Sequence, residues 1–153
     1  MPPTRAASDL TAHLGFWLRT VSNHVSHAFA AKLAGEGVTV AEWVTMRVLY
    51  GQAPMPPSRL AGKMGMTRGA ITKLADRLIA KSLVTRKASR DDGRAQTLAL
   101  TAKGADLVPV LARLADRNEE EFFAPLSAAE RRTLQSLLEQ LVDRHRLPLM
   151  AVD

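Results

Sequence analysis

Residues 58–94 read SRLAGKMGMTRGAITKLADRLIAKSLVTRKASRDDGR, and this stretch decides how the rest of the chain is interpreted. It predicts a short helix, a turn at Gly65, a second helix and then a hairpin. Ten Lys and Arg against three acids give it a local charge of +7, whereas the whole chain is +6. Positive charge gathered on one helix–turn–helix and hairpin is what a polyanion-binding surface requires. Duplex DNA is therefore the first partner to consider.

Local signals place the elements of this stretch. Ser58 is expected to cap a helix over Arg59–Met64, and Thr67 to cap a second helix over Arg68–Ala80. Apolar residues recur on the inward face of the second helix, at Ile71, Leu74, Leu78 and Ile79. Two alternating apolar–polar segments, 83–88 and 95–100, predict the strands of the hairpin.

The flanking sequence predicts four more helices. The first covers residues 9–33 behind a Ser8 cap, and the second runs from Val40 to about residue 50. Thr39 and Glu42 are expected to form a capping box at the start of the second. A third begins after Thr101 and reaches about residue 123. The fourth follows the capping box 127–130 and ends at Pro148.

These elements predict a mainly α fold with a small β-hairpin: a winged helix–turn–helix with dimerisation helices at both ends. The expected division is 1–37 for the N-terminal dimerisation helix, 38–100 for the DNA-binding domain and 101–153 for the C-terminal dimerisation helices. The middle domain alone cannot cover the apolar stripes of the terminal helices, so we expect a homodimer. The alternative is that these helices fold back within one chain.

Composition narrows the function classes. The chain has 153 residues, 46% of them apolar, and no cysteine, which excludes disulfides, thiolate metal sites and cysteine-based redox sensing. No apolar run approaches the roughly 20 residues that cross a bilayer. No membrane partner is expected, and a cytoplasmic location is the default. No nucleophile elbow, phosphate loop or paired-acid motif is present, so the sequence favours a non-enzyme without a cofactor.

Several segments together resemble the MarR family of bacterial transcriptional regulators. The match covers about residues 10–145, with the C-terminal helices matching by pattern only. The segments that carry it are similar to the family's first two helices, its helix–turn–helix entry, its first wing strand and its wing signature. The two helices are represented by Leu14-Gly15-Phe16-Trp17-Leu18-Arg19 and by Thr39-Val40-Ala41-Glu42-Trp43 with Arg47-Val48-Leu49. The helix–turn–helix entry is represented by Leu60-Ala61 with Gly65-Met66-Thr67-Arg68-Gly69, and the first wing strand by Leu83-Val84-Thr85-Arg86. The wing signature is represented by Asp92-Gly93-Arg94 with Leu98-Ala99-Leu100-Thr101-Ala102-Lys103-Gly104. One departure is Ser82, where the family often has Gly. The resemblance implies a triangular dimer that binds pseudo-palindromic operators, usually as a repressor, and often releases DNA when a small aromatic or anionic ligand binds.

The candidate DNA-binding residues fall into three groups. On the recognition helix, Arg68 is the best candidate for a bidentate contact to guanine, and Thr72 and Lys73 are expected to contact a base or a phosphate. The other candidates there are Thr67, Gly69 and Arg77. Ser58 and Arg59 are expected to hold phosphate. In the wing, Arg94 is expected in the minor groove, with Asp92 orienting it and Arg90 on a flanking phosphate.

A ligand site is a second hypothesis. A crevice between the first two helices could be lined by His13, Trp17, Trp43, Met46 and Arg47. An Arg among aromatic rings suits a carboxylate or phenolate, but both Trp residues also fit an ordinary core. His24 and His27, with Asp143 and His145, are weak metal candidates, and exposed or dimer-packed histidines are the favoured interpretation. The alternative function is an architectural DNA-binding protein of low sequence specificity, without an effector.

Overall fold

A computed structural model describes residues 6–89 and 95–149 of the chain. It contains a 3₁₀ turn at Leu10–Ala12, six helices and one hairpin. The elements are α1 (Leu14–Ala34), α2 (Val40–Leu49), α3 (Pro57–Met64), α4 (Arg68–Ala80), β1 (Val84–Ala88), β2 (Gln96–Leu100), α5 (Ala102–Phe123) and α6 (Ala128–His145). The predicted mainly α fold with a small β-hairpin is confirmed. Within the described ranges, no helix has the length and apolar character needed to span a membrane.

The start of the first helix was predicted wrongly. Ser8 caps nothing, because Asp9 precedes a 3₁₀ turn and the extended backbone of His13 separates that turn from α1. The indole N–H of Trp17 donates to the carbonyl of Thr11 at 2.9 Å and ties the turn to the helix. The apolar spacing continues through both segments, so periodicity alone could not locate this break.

The cap of α3 was also predicted wrongly. The helix begins at Pro57 with Pro56 at the N-cap, so Ser58 lies inside the first turn. Proline suits the first helical position because its missing N–H has no helical partner there. Gly65 ends α3 with φ 63°, as its position in the sequence indicated.

The wing is an antiparallel pair in which Val84 lies opposite Leu100 and Ala88 opposite Gln96. A single bridge joins Met55 to the other edge of β2: the Met55 N–H donates to the Leu98 carbonyl at 2.9 Å, and the Met55 carbonyl accepts the Leu98 N–H at 2.8 Å. Met55 and Leu98 are both buried. The connection before α3 therefore pins the base of the wing to the helical lobe.

One hydrophobic core holds the lobe together. Its members are fully buried residues from α1 through α5, among them Leu33, Met46, Leu60, Ile71, Leu78 and Leu111. The C-terminal end of α1 and the first half of α5 thus pack into the same core as the helix–turn–helix. The proposed boundaries at residues 37 and 100 remain a prediction.

Glu42 does not complete the capping box predicted for α2. The Thr39 hydroxyl accepts a bond from the Glu42 amide at 3.2 Å, as expected. The Glu42 carboxylate is 1% exposed and instead accepts bonds from Lys81 Nζ at 2.7 and 3.0 Å. Lys81 Nζ also donates to the Gly37 carbonyl at 2.8 Å. Burying a charged carboxylate is costly unless a cation pairs with it, and one backbone N–H would compensate less of that cost. The Glu42–Lys81 pair therefore joins α2 to the end of α4. The second capping box, Ser127 with Glu130 at the start of α6, is confirmed.

Four helices end in the same pair of backbone hydrogen bonds around a residue of positive φ. Glycine fills this position after α1 and α3, whereas Ser82 fills it after α4 with φ 60° and Arg146 after α6 with φ 52°. The departure noted at Ser82 thus falls where glycine would be least strained. Its carbonyl accepts the Thr101 hydroxyl at 2.7 Å, which joins the end of α4 to the start of α5.

The two ends of the chain present apolar side chains that the lobe does not cover. Helix α6 contains no buried residue, and Leu137, Leu138 and Leu141 are 53%, 41% and 47% exposed. The start of α1 also exposes apolar side chains: Leu14 is 82% exposed and Trp17 is 51% exposed. Large apolar surfaces of this kind mark interaction sites.

Candidate nucleic-acid interface

Helix α4 separates a buried face from an exposed face. Its buried side chains are Ile71, Leu74, Ala75 and Leu78. All six candidates predicted on this helix or its cap are exposed: Thr67, Arg68, Gly69, Thr72, Lys73 and Arg77. The structure therefore brings these six residues together on one cationic surface. We call it the α4 face.

The first turn of the α4 face is fixed by its own side chains. The Thr67 hydroxyl accepts the Ala70 amide at 3.2 Å and caps the helix. The Thr72 hydroxyl donates to the Arg68 carbonyl at 2.9 Å, which leaves its lone pairs for an external donor. A Cβ added at Gly69 would meet no atom within 4 Å, so the backbone there is open to a ligand.

Helix α3 supports α4 across the turn at Gly65. Ser58 and Arg59 are exposed at its N-terminal end, where phosphate contacts were predicted. Lys63 lies one turn after Arg59 and is exposed as well. The helix–turn–helix thus presents cations from both of its helices.

An ion pair that the sequence did not predict joins α4 to the wing. Arg86 Nη2 on β1 lies 3.0 Å from Asp76 Oδ1 on α4, and the two side chains are 35% and 60% exposed. Asp76 is the only acid among residues 58–89, which was the one available signal that it has a distinct role. The wing-tip candidates Arg90, Asp92 and Arg94 lie outside the described residues.

The five candidates for a ligand site occupy different environments. Met46 is fully buried in the core, and Trp43 packs edge-on against Phe29 with ring centroids 6.4 Å apart. Arg47 is exposed, with its guanidinium carbon 5.7 Å from the centre of the Tyr50 ring. His13 is exposed in the link before α1, near the half-exposed Trp17 in sequence. A shared ligand site remains a prediction.

His24 and His27 are exposed on α1. Across residues 6–89 and 95–149, no cluster of three or more His, Cys, Asp or Glu side chains is arranged to hold a metal ion.

Comparison with known proteins agrees with this geometry. The MarR family profile matches residues 38–95. A putative transcriptional regulatory protein for the hcr operon of Thauera aromatica is 32% identical over 134 residues, which are 87% of this chain and 81% of that protein. An HTH-type transcriptional repressor of Mycobacterium tuberculosis is 28% identical over 130 residues, covering 85% of this chain and 94% of the repressor.

A solved structure extends the match to the fold. A mutant of MarR from E. coli complexed with operator DNA superposes with a TM-score of 0.77 at 26% identity, covering 92% of this chain and all of that one (100%). The relatives are named as transcriptional regulators, and the E. coli structure is a complex with operator DNA. The chain therefore belongs to the MarR family and is a DNA-binding transcriptional regulator.

Proposed function

We propose that this regulator is a homodimeric repressor that binds a pseudo-palindromic operator, one α4 face to each half-site. The observation that carries the proposal is the α4 face itself, where Arg68, Lys73 and Arg77 are exposed opposite the four buried residues of the helix. A helix of this kind fits the major groove with its N-terminal residues at the base edges. The mycobacterial relative named as a repressor supports the direction of regulation.

Each candidate residue has a role in this proposal. Arg68 forms a bidentate contact with guanine, and Thr72 and Lys73 contact a base or a phosphate. Arg77 contacts the DNA phosphate backbone farther along the groove. Thr67 and the neighbouring amides face phosphate at the helix N-terminus, while Ser58 and Arg59 hold a second phosphate from α3. Arg90, Asp92 and Arg94 lie outside the described residues, and for them the proposal keeps the roles expected from the sequence: Arg94 in the minor groove, Asp92 orienting it and Arg90 on a flanking phosphate.

Dimerisation is supported by the uncovered apolar ends of the chain. Leu137 and Leu141 lie on one side of α6, and the start of α1 offers Leu14, Trp17 and Leu18, all 47% exposed or more. A second copy would cover these surfaces and place two α4 faces on one side of the molecule. Operators with two-fold symmetry match such a pair.

The proposal is tested with duplexes from the region upstream of the protein's own gene, by fluorescence anisotropy and footprinting. We expect one protected palindrome and an affinity that falls steeply with salt, because several phosphates per lobe are neutralised.

Arg68→Ala should weaken operator binding by about 1–3 kcal/mol and relax base preference at one position of each half-site. Arg132→Ala removes the same charge from the exposed polar side of α6 and serves as the control. Uniform coating of any duplex, with no effect of Arg68→Ala on base preference, would favour the architectural alternative.

Gly69→Ala separates DNA approach from folding. An added methyl group meets nothing within the free protein, and alanine is the better helix former, so the free energy of unfolding should stay the same or rise by up to about 1 kcal/mol. The same methyl group would stand between the first turn of α4 and the groove, so operator affinity should fall about tenfold. Gly62→Ala on α3 also adds a methyl group in open space and is the matched control. Full operator affinity in Gly69→Ala would show that this turn does not approach DNA closely.

We further propose that a small aromatic acid binds between the first two helices and releases DNA. Arg47 is an exposed cation stacked on Tyr50, and Trp43, one turn before it on α2, packs on Phe29 of α1. Met46 on the same helix is fully buried in the core. His13 and Trp17 would close the site from the start of the chain.

Benzoate is a suitable probe, since the chain's two tryptophans, Trp17 and Trp43, report binding by fluorescence. We expect benzoate to quench that fluorescence and to lower operator affinity, and Arg47→Ala to abolish both effects; no response at millimolar benzoate would contradict this site.

A further inference from the structure

Asp76 stands on the α4 face, where an acid is electrostatically out of place. It is the only carboxylate among residues 58–89, and it lines a shallow cleft on α4 together with Lys73 and Arg77. Its side chain is 60% exposed, so it is not held there by burial. A carboxylate on this surface repels the phosphates that the neighbouring cations attract. Asp76 is therefore expected to have a role other than direct contact with phosphate.

The partner of Asp76 identifies that function. Arg86 extends from β1 and places Nη2 3.0 Å from Asp76 Oδ1. In β1 only Val84 is fully buried, and residues 86–88 are exposed. The outer half of the strand thus projects from the core, and the ion pair ties this projecting part back to the recognition helix. In water an exposed pair contributes little to folding stability, but docking against DNA removes water and strengthens it.

We propose that Asp76 is a positioning residue for DNA recognition: by holding Arg86, it fixes the angle between the wing and α4 at which both elements fit one half-site. This inference rests on the proposed function and adds a determinant of specificity that touches no base. The ion pair spans two separate elements, so losing it frees the outer half of the wing, while the base stays held by the Met55–Leu98 bridge. A free wing must then be ordered during binding, at an entropic cost.

The inference and simple electrostatics predict opposite changes in operator affinity when the charge of Asp76 is removed. If Asp76 were only an acid beside a polyanion, Asp76→Asn would remove repulsion and tighten binding to every duplex. If Asp76 positions the wing, Asp76→Asn should weaken binding to the operator by about tenfold, while binding to an unrelated duplex of equal length changes little. The ratio of the two affinities is the decisive measurement, because a merely structural role would lower the melting temperature and leave that ratio unchanged.

A double-mutant cycle makes the test sharper. We expect Asp76→Asn, Arg86→Gln and the double variant to lose operator affinity to the same extent, because each breaks the same tether. Asp76→Glu should restore most of the affinity. The matched control is Glu36→Gln, which removes an exposed acid in the link between α1 and α2 and should leave the ratio unchanged. All variants should melt close to the unaltered protein.

Three outcomes overturn the inference. Tighter or unchanged operator binding by Asp76→Asn overturns it alone, with the proposed function intact. Additive effects in the cycle, with Arg86→Gln weakening every duplex equally, would make Arg86 an independent phosphate contact and overturn it too. If the unaltered protein binds no duplex at low salt, the proposed function fails first and this inference fails with it.

Discussion

A chain carrying both Leu137→Glu and Leu141→Glu should be monomeric and bind its operator at least about a hundredfold more weakly than the unaltered protein, which we propose to be a dimer. The two leucines are 53% and 47% exposed on α6, a helix with no buried residue. Carboxylates at these positions would have to be buried without partners if a second copy packed there. One lobe alone then binds one half-site and loses the gain in effective concentration that the linked second lobe provides. Sedimentation velocity and fluorescence anisotropy on the full operator measure the two effects.

The matched control places the same charges about a quarter turn around the helix. Ser136→Glu and Gln140→Glu have the same four-residue spacing and are both exposed, but each lies one residue before a leucine of the apolar stripe and outside the stripe itself. This variant should stay dimeric and lose only a little affinity from its added negative charge. Equal loss of dimer in both variants would mean that helix destabilisation, rather than a buried interface, explains the result. A dimeric Leu137→Glu, Leu141→Glu protein would exclude this part of α6 from the interface.

The sequence predicted the bounds of α4 and its exposed side because their determinants are local. Thr67 reaches an amide three residues ahead, and Ile71, Leu74 and Leu78 repeat with the period of a helix. Once the buried side of α4 was known, the exposed side followed by geometry. The same reasoning gave the bounds of α4, the glycine turn at Gly65 and the capping box at Ser127.

The interactions that the sequence did not predict join residues far apart in the chain or depend on backbone detail. Glu42 pairs with Lys81 across 39 residues, and no spacing rule connects them; the local capping pattern even suggested a different partner. Asp76 and Arg86 are 10 residues apart, in a helix and in a strand whose relative orientation the sequence does not specify. The break at His13 lies in a stretch whose apolar pattern suits one uninterrupted helix. Such contacts are set by how finished elements pack, so only the structure shows them.

Gly104 stands where the recognition helix, the wing and α5 meet. The Leu83 carbonyl accepts the Thr101 amide at 3.0 Å, and the Thr101 hydroxyl caps α5 by accepting the Gly104 amide at 3.0 Å. Gly104 is buried against Leu83, and a Cβ added to it would overlap the carbonyl oxygen of that residue. The obstacle is backbone, which cannot rotate away as a side chain would. Glycine is therefore required here for close approach, even though its own φ is that of an ordinary helix.

Gly104→Ala should lower the free energy of unfolding by about 2–4 kcal/mol, because α5 must move away from the wing or the Leu83 peptide must tilt. Urea denaturation at a fixed protomer concentration measures this, since unfolding of a dimer depends on concentration. Gly62→Ala is again the control: it adds a methyl group to a helix in open space and should change stability by no more than about 1 kcal/mol, upward. Operator affinity should fall with Gly104→Ala as well, because Leu83 links α4 to β1 and any shift there turns the recognition helix relative to α5. If Gly104→Ala were as stable as Gly62→Ala, the close packing of α5 on Leu83 would be wrong, and so would the connection that it makes between α5 and α4.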